Sequence, residues 1–223
     1  MKVHCLFEQS GTFKNVFKEM GFKSFDYDLE NQFGQTDYQL DLFGEIEKAY
    51  QNKKSIFDGF SSKDLIFAFF PCTYFSTQNN LYWSGKAIQL KNLSLSDKEK
   101  VIKERKKERN FNYLMIKKLV FVAKKRNLQL IIENPYHDNF LLTTEDFSVP
   151  DVTINDRRLL GDYFKKPTMF YFYNLEPTTF NLNFIVENNA LKFGITDVKS
   201  QIERSLMHPT FAKNFVNKYI FGI

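Results

Sequence analysis

Asp64-Leu65-Ile66-Phe67-Ala68-Phe69-Phe70-Pro71-Cys72-Thr73 is the stretch on which the fold turns. An unbroken apolar run halted by proline predicts a strand over 64–69 buried on both faces, as in a parallel sheet; a strand with one wet face would alternate instead. Upstream, Val3–Phe7 reads as a second short buried strand, and Ser10-Gly11 turns into a helix over Thr12–Met20. Phe13, Val16, Phe17 and Met20 there fall at helical spacing, and Gly21 closes the helix. A strand over Ser24–Tyr27 runs into Asp26, Asp28 and Glu30, and a helix through Phe43–Tyr50 follows. Downstream, Ser96-Asp97-Lys98-Glu99 has the capping-box pattern and opens a helix reaching Arg126. Leu128–Ile132 is a further buried strand, terminated by Glu133-Asn134-Pro135. Past Pro150 the pattern shortens, with Met169–Tyr173 the clearest strand and two short helices expected around Val198–Leu206 and Pro209–Tyr219. Strands alternating with helices imply right-handed βαβ units, hence an α/β, Rossmann-like, doubly wound and mostly parallel sheet.

The 223 residues suit one such domain, with a core over 1–150 and a smaller C-terminal part over 151–223 packed on it. The net charge is +5, but residues 84–127 hold 14 Lys and Arg against 4 Asp and Glu. The rest of the chain is therefore net negative, and the basic character belongs to one segment, which fits either a polyanion-tracking surface or a solvated helix face. Cys5 and Cys72 are the only cysteines, too few for a disulfide framework or a zinc site. With no apolar run near 18 residues, a soluble, cytoplasmic protein without a membrane or metal partner is expected. The 26 Phe and 11 Tyr suggest rings on working surfaces, or simply a biased codon usage.

In open α/β sheets ligands sit beyond the carboxyl ends of the strands, and four strand ends carry unusual residues. Phe7-Glu8-Gln9-Ser10-Gly11-Thr12 is a tight turn into a helix N-terminus, whose amides and dipole favour a carboxylate or phosphate. Asp28 is placed to accept from ribose hydroxyls, and Asp41 is placed either to meet an adenine amino group or to cap the helix after it. Cys72, held by Pro71 after a buried strand, reads as a nucleophile if cations or donors lower its thiol pKa, or as inert filler. Glu133, carried out of an apolar strand to the same edge, suits a proton donor.

These residues, in order, resemble the cytosine-5 DNA methyltransferase family, and most closely its small phage-type and mobile-element members. The turn from Phe7 to Gly11 resembles the family's first motif, Pro71-Cys72 its nucleophile motif and Glu133-Asn134 its Glu-Asn motif. Lys166-Pro167-Thr168-Met169-Phe170 resembles the Lys-Pro-Thr strand of the short members, and Arg204 to Ala212 the final motif. The chain departs from the pattern in having Gly11 alone in the first turn, Phe70 before Pro71-Cys72, and only Arg157-Arg158 where larger members are Arg-rich. The span from Tyr173 to Val198 is too short for a full target-recognition domain.

The resemblance implies a class I methyltransferase fold, S-adenosylmethionine as cofactor and duplex DNA with a flipped cytosine as substrate, in a bacterial or phage-infected cell. Cys72 and Glu133 would be catalytic. Phe7, Ser10, Gly11, Thr12, Asp28, Asp41 and Pro71 would hold the cofactor, and Ser76, Lys86, Arg105, Lys106, Arg109 and Lys166 would meet nucleic acid. The aromatic loop Tyr74–Trp83 offers stacking partners. Two other readings stay open: a catalytically reduced relative that binds nucleic acid or protein, and an enzyme of the same fold acting on RNA or a free nucleotide.

Overall fold

The structure, a computed structural model, describes residues 1–75, 80–137, 139–178 and 205–223. Seven strands, β1 (Lys2–Leu6), β2 (Lys23–Asp28), β3 (Tyr38–Gln39), β4 (Leu65–Phe69), β5 (Gln129–Pro135), β6 (Val152–Ile154) and β7 (Thr168–Tyr173), form one sheet. Their order is β3-β2-β1-β4-β5-β7-β6. All pairs are parallel except those made by β7, which runs antiparallel to both β5 and β6. The chain is thus α/β with a seven-stranded, mostly parallel sheet, compatible with a Rossmann-like fold.

Among the described residues five α-helices accompany the sheet: α1 (Thr12–Glu19), α2 (Leu42–Tyr50), α3 (Asn80–Trp83), α4 (Leu95–Arg126) and α5 (Pro209–Val216). The central strands read as continuous apolar runs because alternate residues enter two different cores. Val3, Cys5, Leu65 and Phe67 face a cluster with Phe13 and Phe17 of α1 and Phe211 and Phe215 of α5. Leu6, Ile66, Ala68, Leu130 and Ile132 face the other, with Ile46 of α2 and Ile116 and Leu119 of α4. Phe215 of α5 lies 4.1 Å from Phe170 and 5.8 Å from Phe67, ring centre to ring centre, so the C-terminal helix covers the sheet beside β4. Burying each such ring stabilises the fold by about 1.5–3 kcal/mol.

The structure moves several expected boundaries. Phe7 is not the end of β1 but its exit, at φ 62°. Asp26 lies inside β2, as the expected strand has it, and is fully buried, while β2 runs on to Asp28. Glu133-Asn134-Pro135 does not end β5, because β7 supplies partners there: Glu133 faces Phe170, Asn134 faces Met169 and Pro135 faces Thr168. α4 starts at Leu95, with Ser94 as N-cap accepting from the Asp97 amide at 3.1 Å, so Ser96 is inside the helix rather than its cap. β3 and β6 are edge strands of two and three residues, too short for a periodic signal. α5 is α-helical only to Val216 and then widens into a π turn over Asn217–Phe221. The helix expected over Val198–Leu206 falls mostly outside the described residues.

In α4 the buried residues begin at Asn112. The preceding part carries only a half-buried stripe, Lys98, Val101, Ile102, Arg105 and Arg109, and is otherwise exposed. It is an arm reaching past the core rather than a core helix. Among the described residues no helix is long and apolar enough to cross a membrane.

Candidate functional site

Strand order reverses between β1 and β4, the switch point at which doubly wound sheets open a crevice beyond their carboxyl ends. Two segments flank that crevice, 7–11 after β1 and 70–75 after β4, and β5 adds Glu133 beside the second.

Cys72 lies three residues beyond Phe69, and Phe69 pairs with Glu133 across the β4–β5 ladder. The loop is fixed at both ends: the Phe75 amide donates to the Cys72 carbonyl at 3.0 Å, and the Phe140 amide donates to the Phe75 carbonyl at 2.9 Å. Phe75 is buried, its ring stacked on Phe140. Cys72 itself is half-buried. Burial and the charge of Glu133 push its thiol up, while Lys166 and Arg157 pull it down, and burial prevails. The cations expected to activate the thiol are therefore present, without bringing its pKa below the ordinary value.

Glu133 is 6% exposed and accepts a short hydrogen bond from the Thr168 hydroxyl, which also lies 3.2 Å from the Asn134 carbonyl. Because β7 runs antiparallel, its first residues, not its last, meet this edge, and Lys166 arrives with them. Burial and neighbouring Arg157 push the Lys166 ammonium down; Cys72, Glu133 and Asp162 oppose that. Asn134 is fully buried, and its Oδ1 accepts from Asn139 Nδ2 at 2.8 Å, which ties the loop after β5 to the strand.

Arg157 is the residue that the sequence undervalued. It is fully buried, paired with equally buried Asp162, and its Nη2 donates to the Leu206 carbonyl at 3.4 Å, while Nη1 has no hydrogen-bond partner. Asp162 in turn accepts from the His208 amide at 2.8 Å and the Tyr163 amide at 2.9 Å. The Arg157–Asp162 pair thus joins the 205–211 segment to the Cys72 edge. The signal was available: an arginine five residues before an aspartate, both just ahead of Lys166-Pro167-Thr168. A cleft of about 440 Å³ lined by Tyr136, His137, Leu142, Asn155 and Pro167 opens beside the same strand ends.

The first turn is built from strained backbone. Phe7, Gln9 and Gly11 all have left-handed φ, 62°, 51° and 66°. Gly11 precedes α1 without a side-chain cap. Glu8 reaches past it instead, Oε1 accepting from the Phe13 amide at 2.5 Å and Oε2 from the Lys14 amide at 3.2 Å. The helix amides expected to face a ligand are thus held by the chain's own carboxylate. Burial raises the Glu8 carboxyl to about 7 despite those hydrogen bonds. Phe7 packs its ring on Phe43 and Phe70, at 5.2 and 4.7 Å. Ser10 and Thr12 hydroxyls meet at 3.0 Å, and Thr12 Oγ1 donates to the Met207 carbonyl at 3.5 Å.

Asp28, 7% exposed, sits at the carboxyl end of β2, where its Oδ1 accepts from the Glu30 amide at 2.9 Å. Asp41 is the N-cap of α2, accepting from the Gly44 amide at 3.1 Å, so the capping alternative describes its contacts. Pro71 is exposed.

Of the residues expected to meet nucleic acid, Lys86 and Lys106 are exposed, and Ser76 lies outside the described residues. Arg105 and Arg109 are not free surface cations. Arg105 stands over the Tyr82 ring at 3.9 Å and Tyr74 at 5.3 Å, and Arg109 over Phe140 at 4.0 Å and Trp83 at 5.0 Å. They and the described rings of the aromatic loop bind each other, so the arm of α4 is clamped to the segment after Cys72. Farther along, Lys117 pairs with Asp146, Lys118 with Glu47 and Arg126 with Asp58. The arm of α4 exposes Lys100, Lys103, Lys106 and Lys107. Among the described residues no group of three or more His, Cys, Asp or Glu is placed to hold a metal ion. No family model matches the chain, and no curated protein matches it either.

Proposed function

We propose that the protein transfers a methyl group from S-adenosylmethionine to carbon 5 of cytosine in DNA, with Cys72 as the covalent nucleophile and a sheet of the class I methyltransferase kind as its scaffold. One observation carries the reading: a half-buried thiol just past β4 and a buried carboxylate in neighbouring β5, with Lys166 and Arg157 in electrostatic reach of the thiol, beside the switch point of the sheet.

In this mechanism the Cys72 thiolate adds to carbon 6 of the ring while the Glu133 carboxyl, positioned by Thr168, bonds ring nitrogen 3 and draws electron density from the ring. Carbon 5 becomes nucleophilic; after methylation it loses its proton to a base, and elimination restores the thiol. Lys166 and Arg157 stabilise the thiolate. S-adenosylmethionine would supply the methyl group. The turn residues Phe7, Ser10, Gly11 and Thr12, with Asp28 and Asp41, have the donor and acceptor types its amino acid, ribose and adenine require. Reaching carbon 6 takes the base out of the stack, at a cost of a few kcal/mol. The exposed lysines of the α4 arm offer phosphate contacts that would offset part of it.

Incubation with S-adenosylmethionine and DNA containing 5-fluorocytosine tests the proposal, because fluorine at carbon 5 blocks the elimination. A covalent protein–DNA adduct that disappears in Cys72→Ala supports it; no adduct with wild type, or an adduct that persists in Cys72→Ala, overturns it.

A further inference from the structure

None of the groups assigned to methyl transfer lines the cleft of about 440 Å³ beside the Cys72 edge. Its walls are two loops, each fixed from within. In the loop that leaves β5, Asn139 Nδ2 donates to the Pro135 carbonyl at 2.7 Å and Asn139 Oδ1 accepts from the Leu141 amide at 2.9 Å, which ties the loop back to its strand; His137 there is held at φ 90°. In the loop between β6 and β7, the Arg157 amide donates to the Lys165 carbonyl at 3.1 Å. The Tyr136 amide donates to the Pro167 carbonyl at 3.0 Å and joins the two loops. A site formed in advance in this way spends little of a ligand's binding energy on ordering.

The lining suits a planar polar ring. Tyr136 and His137 contribute rings, Leu142 and Pro167 apolar surface, and Asn155 an amide with both a donor and an acceptor. No Asp, Glu, Lys or Arg lines the cleft, so a lone ion has no counter-charge there. Asn155 is exposed, and the side chains of Tyr136 and Asn155 make no hydrogen bond among the described residues. A ring to stack on and an amide to read an edge are the two means by which proteins hold an unstacked nucleobase. Position links the cleft to the chemistry: Tyr136 follows Glu133 by three residues, about 10 Å at roughly 3.3 Å per strand residue, and Pro167 follows Lys166. Because neither Cys72 nor Glu133 lines the cleft, a base seated there is not the base that Cys72 attacks. At about 3.4 Å per nucleotide it lies within about three steps of that base. Extruding one base also strips its neighbours of a stacking partner, which lowers the cost of unstacking a second.

We propose that this cleft seats a nucleobase neighbouring the target cytosine, with Tyr136 stacking on its face and Asn155 reading its edge, and so selects the sequence that is methylated. This rests on reading Cys72 as the nucleophile. The two residues act differently: stacking on Tyr136 tolerates any base, whereas the Asn155 amide distinguishes one donor–acceptor pattern from another.

The rate of covalent adduct formation on 5-fluorocytosine duplexes, with S-adenosylmethionine present and each of the four bases placed in turn at the three positions on either side of the target, tests this. At one of those positions wild type should favour one base over another at least about tenfold, the size of one amide contact to a base edge. Asn155→Ala should bring that ratio below about threefold, and Tyr136→Ala should slow adduct formation on every sequence at least about tenfold while keeping the ratio. Asn155→Trp, which fills the cleft from an exposed position, should remove the ratio and slow the reaction together. Wild-type adducts with no sequence preference, or a preference that both Asn155 variants leave intact, overturn the cleft proposal while leaving Cys72 as the nucleophile. No adduct from wild type on any of these duplexes overturns both. Circular dichroism checks the fold; if Tyr136→Ala loses it, the two variants at exposed Asn155 decide.

Discussion

Replacing Asp26 by Asn should flatten the pH dependence of stability. Asp26 is fully buried, and burial first, then the charge of Glu8, raises its carboxyl from 3.8 to about 8. Between those values the folded state holds a proton that the unfolded chain has lost. Stability is then complete below pH 3.8 and falls as pH rises toward 8, by about 1.4 kcal/mol per unit. Over the whole window the ceiling is about 6 kcal/mol. Glu8, raised from 4.5 to about 7, slopes the same way, and because the two carboxyls interact their contributions do not simply add. Roughly 3–5 kcal/mol is a reasonable share for Asp26. His4, lowered by burial from 6.5 to about 4, has the opposite sign: the unfolded chain holds the extra proton, and stability rises with pH between those values. Above pH 6.5 that contribution is constant. Urea unfolding of wild type and Asp26→Asn at pH 6, 7 and 8 isolates the carboxylate. The amide stays neutral, so the difference should move in the variant's favour by about 1 kcal/mol per unit, whatever the fixed cost of burying an amide. Parallel pH slopes for the two proteins would refute the reasoning.

Three further outcomes concern the Cys72 edge of the sheet and the α4 arm. Lys166→Ala removes a charge that lowers the Cys72 thiol, so the pH midpoint for iodoacetamide alkylation of Cys72 should rise; an unchanged or lower midpoint would remove Lys166 from the thiol's environment. Asp162→Asn leaves Arg157 buried without its charge partner and should cost about 3–5 kcal/mol in urea unfolding, a loss below about 1 kcal/mol counting against a dry pair. Neutralising the arm by Lys103→Gln, Lys106→Gln and Lys107→Gln together should reduce the salt dependence of duplex binding by about three charges' worth, read from log K against log salt between 50 and 200 mM; an unaltered slope places the phosphate contacts elsewhere.

The parallel strands were legible because burial on two faces leaves a continuous apolar run, and α1 because its phenylalanines keep helical spacing. What sequence could not supply is how a late strand re-pairs an early one. β7 extends β5 through Glu133-Asn134-Pro135, so a glutamate that looked like a strand terminus is a ladder residue with Phe69 on one side and Phe170 on the other. Arg157 and Asp162 lie five residues apart just ahead of Lys166-Pro167-Thr168, but their full burial depends on the 205–211 segment that packs over them. Arg105 and Arg109 looked like phosphate ligands because a basic helix is read by charge, whereas their neighbours are rings more than twenty residues away along the chain, Tyr74, Tyr82 and Trp83 upstream and Phe140 downstream. In the first turn the residue types were visible, but Glu8 reaching forward to the amides of Phe13 and Lys14 depends on backbone angles that only Gly normally announces.

The arm of α4 has one more consequence. Residues 95–104 bury no side chain and precede the Arg105 and Arg109 clamp, so their number is nearly independent of the stability of the core. Adding or deleting seven residues would change the arm's reach by about 10 Å and turn its face by only about 20°, leaving the packing from Asn112 onward untouched. Length in that stretch is a ruler that descendants of this chain can alter without having to refold.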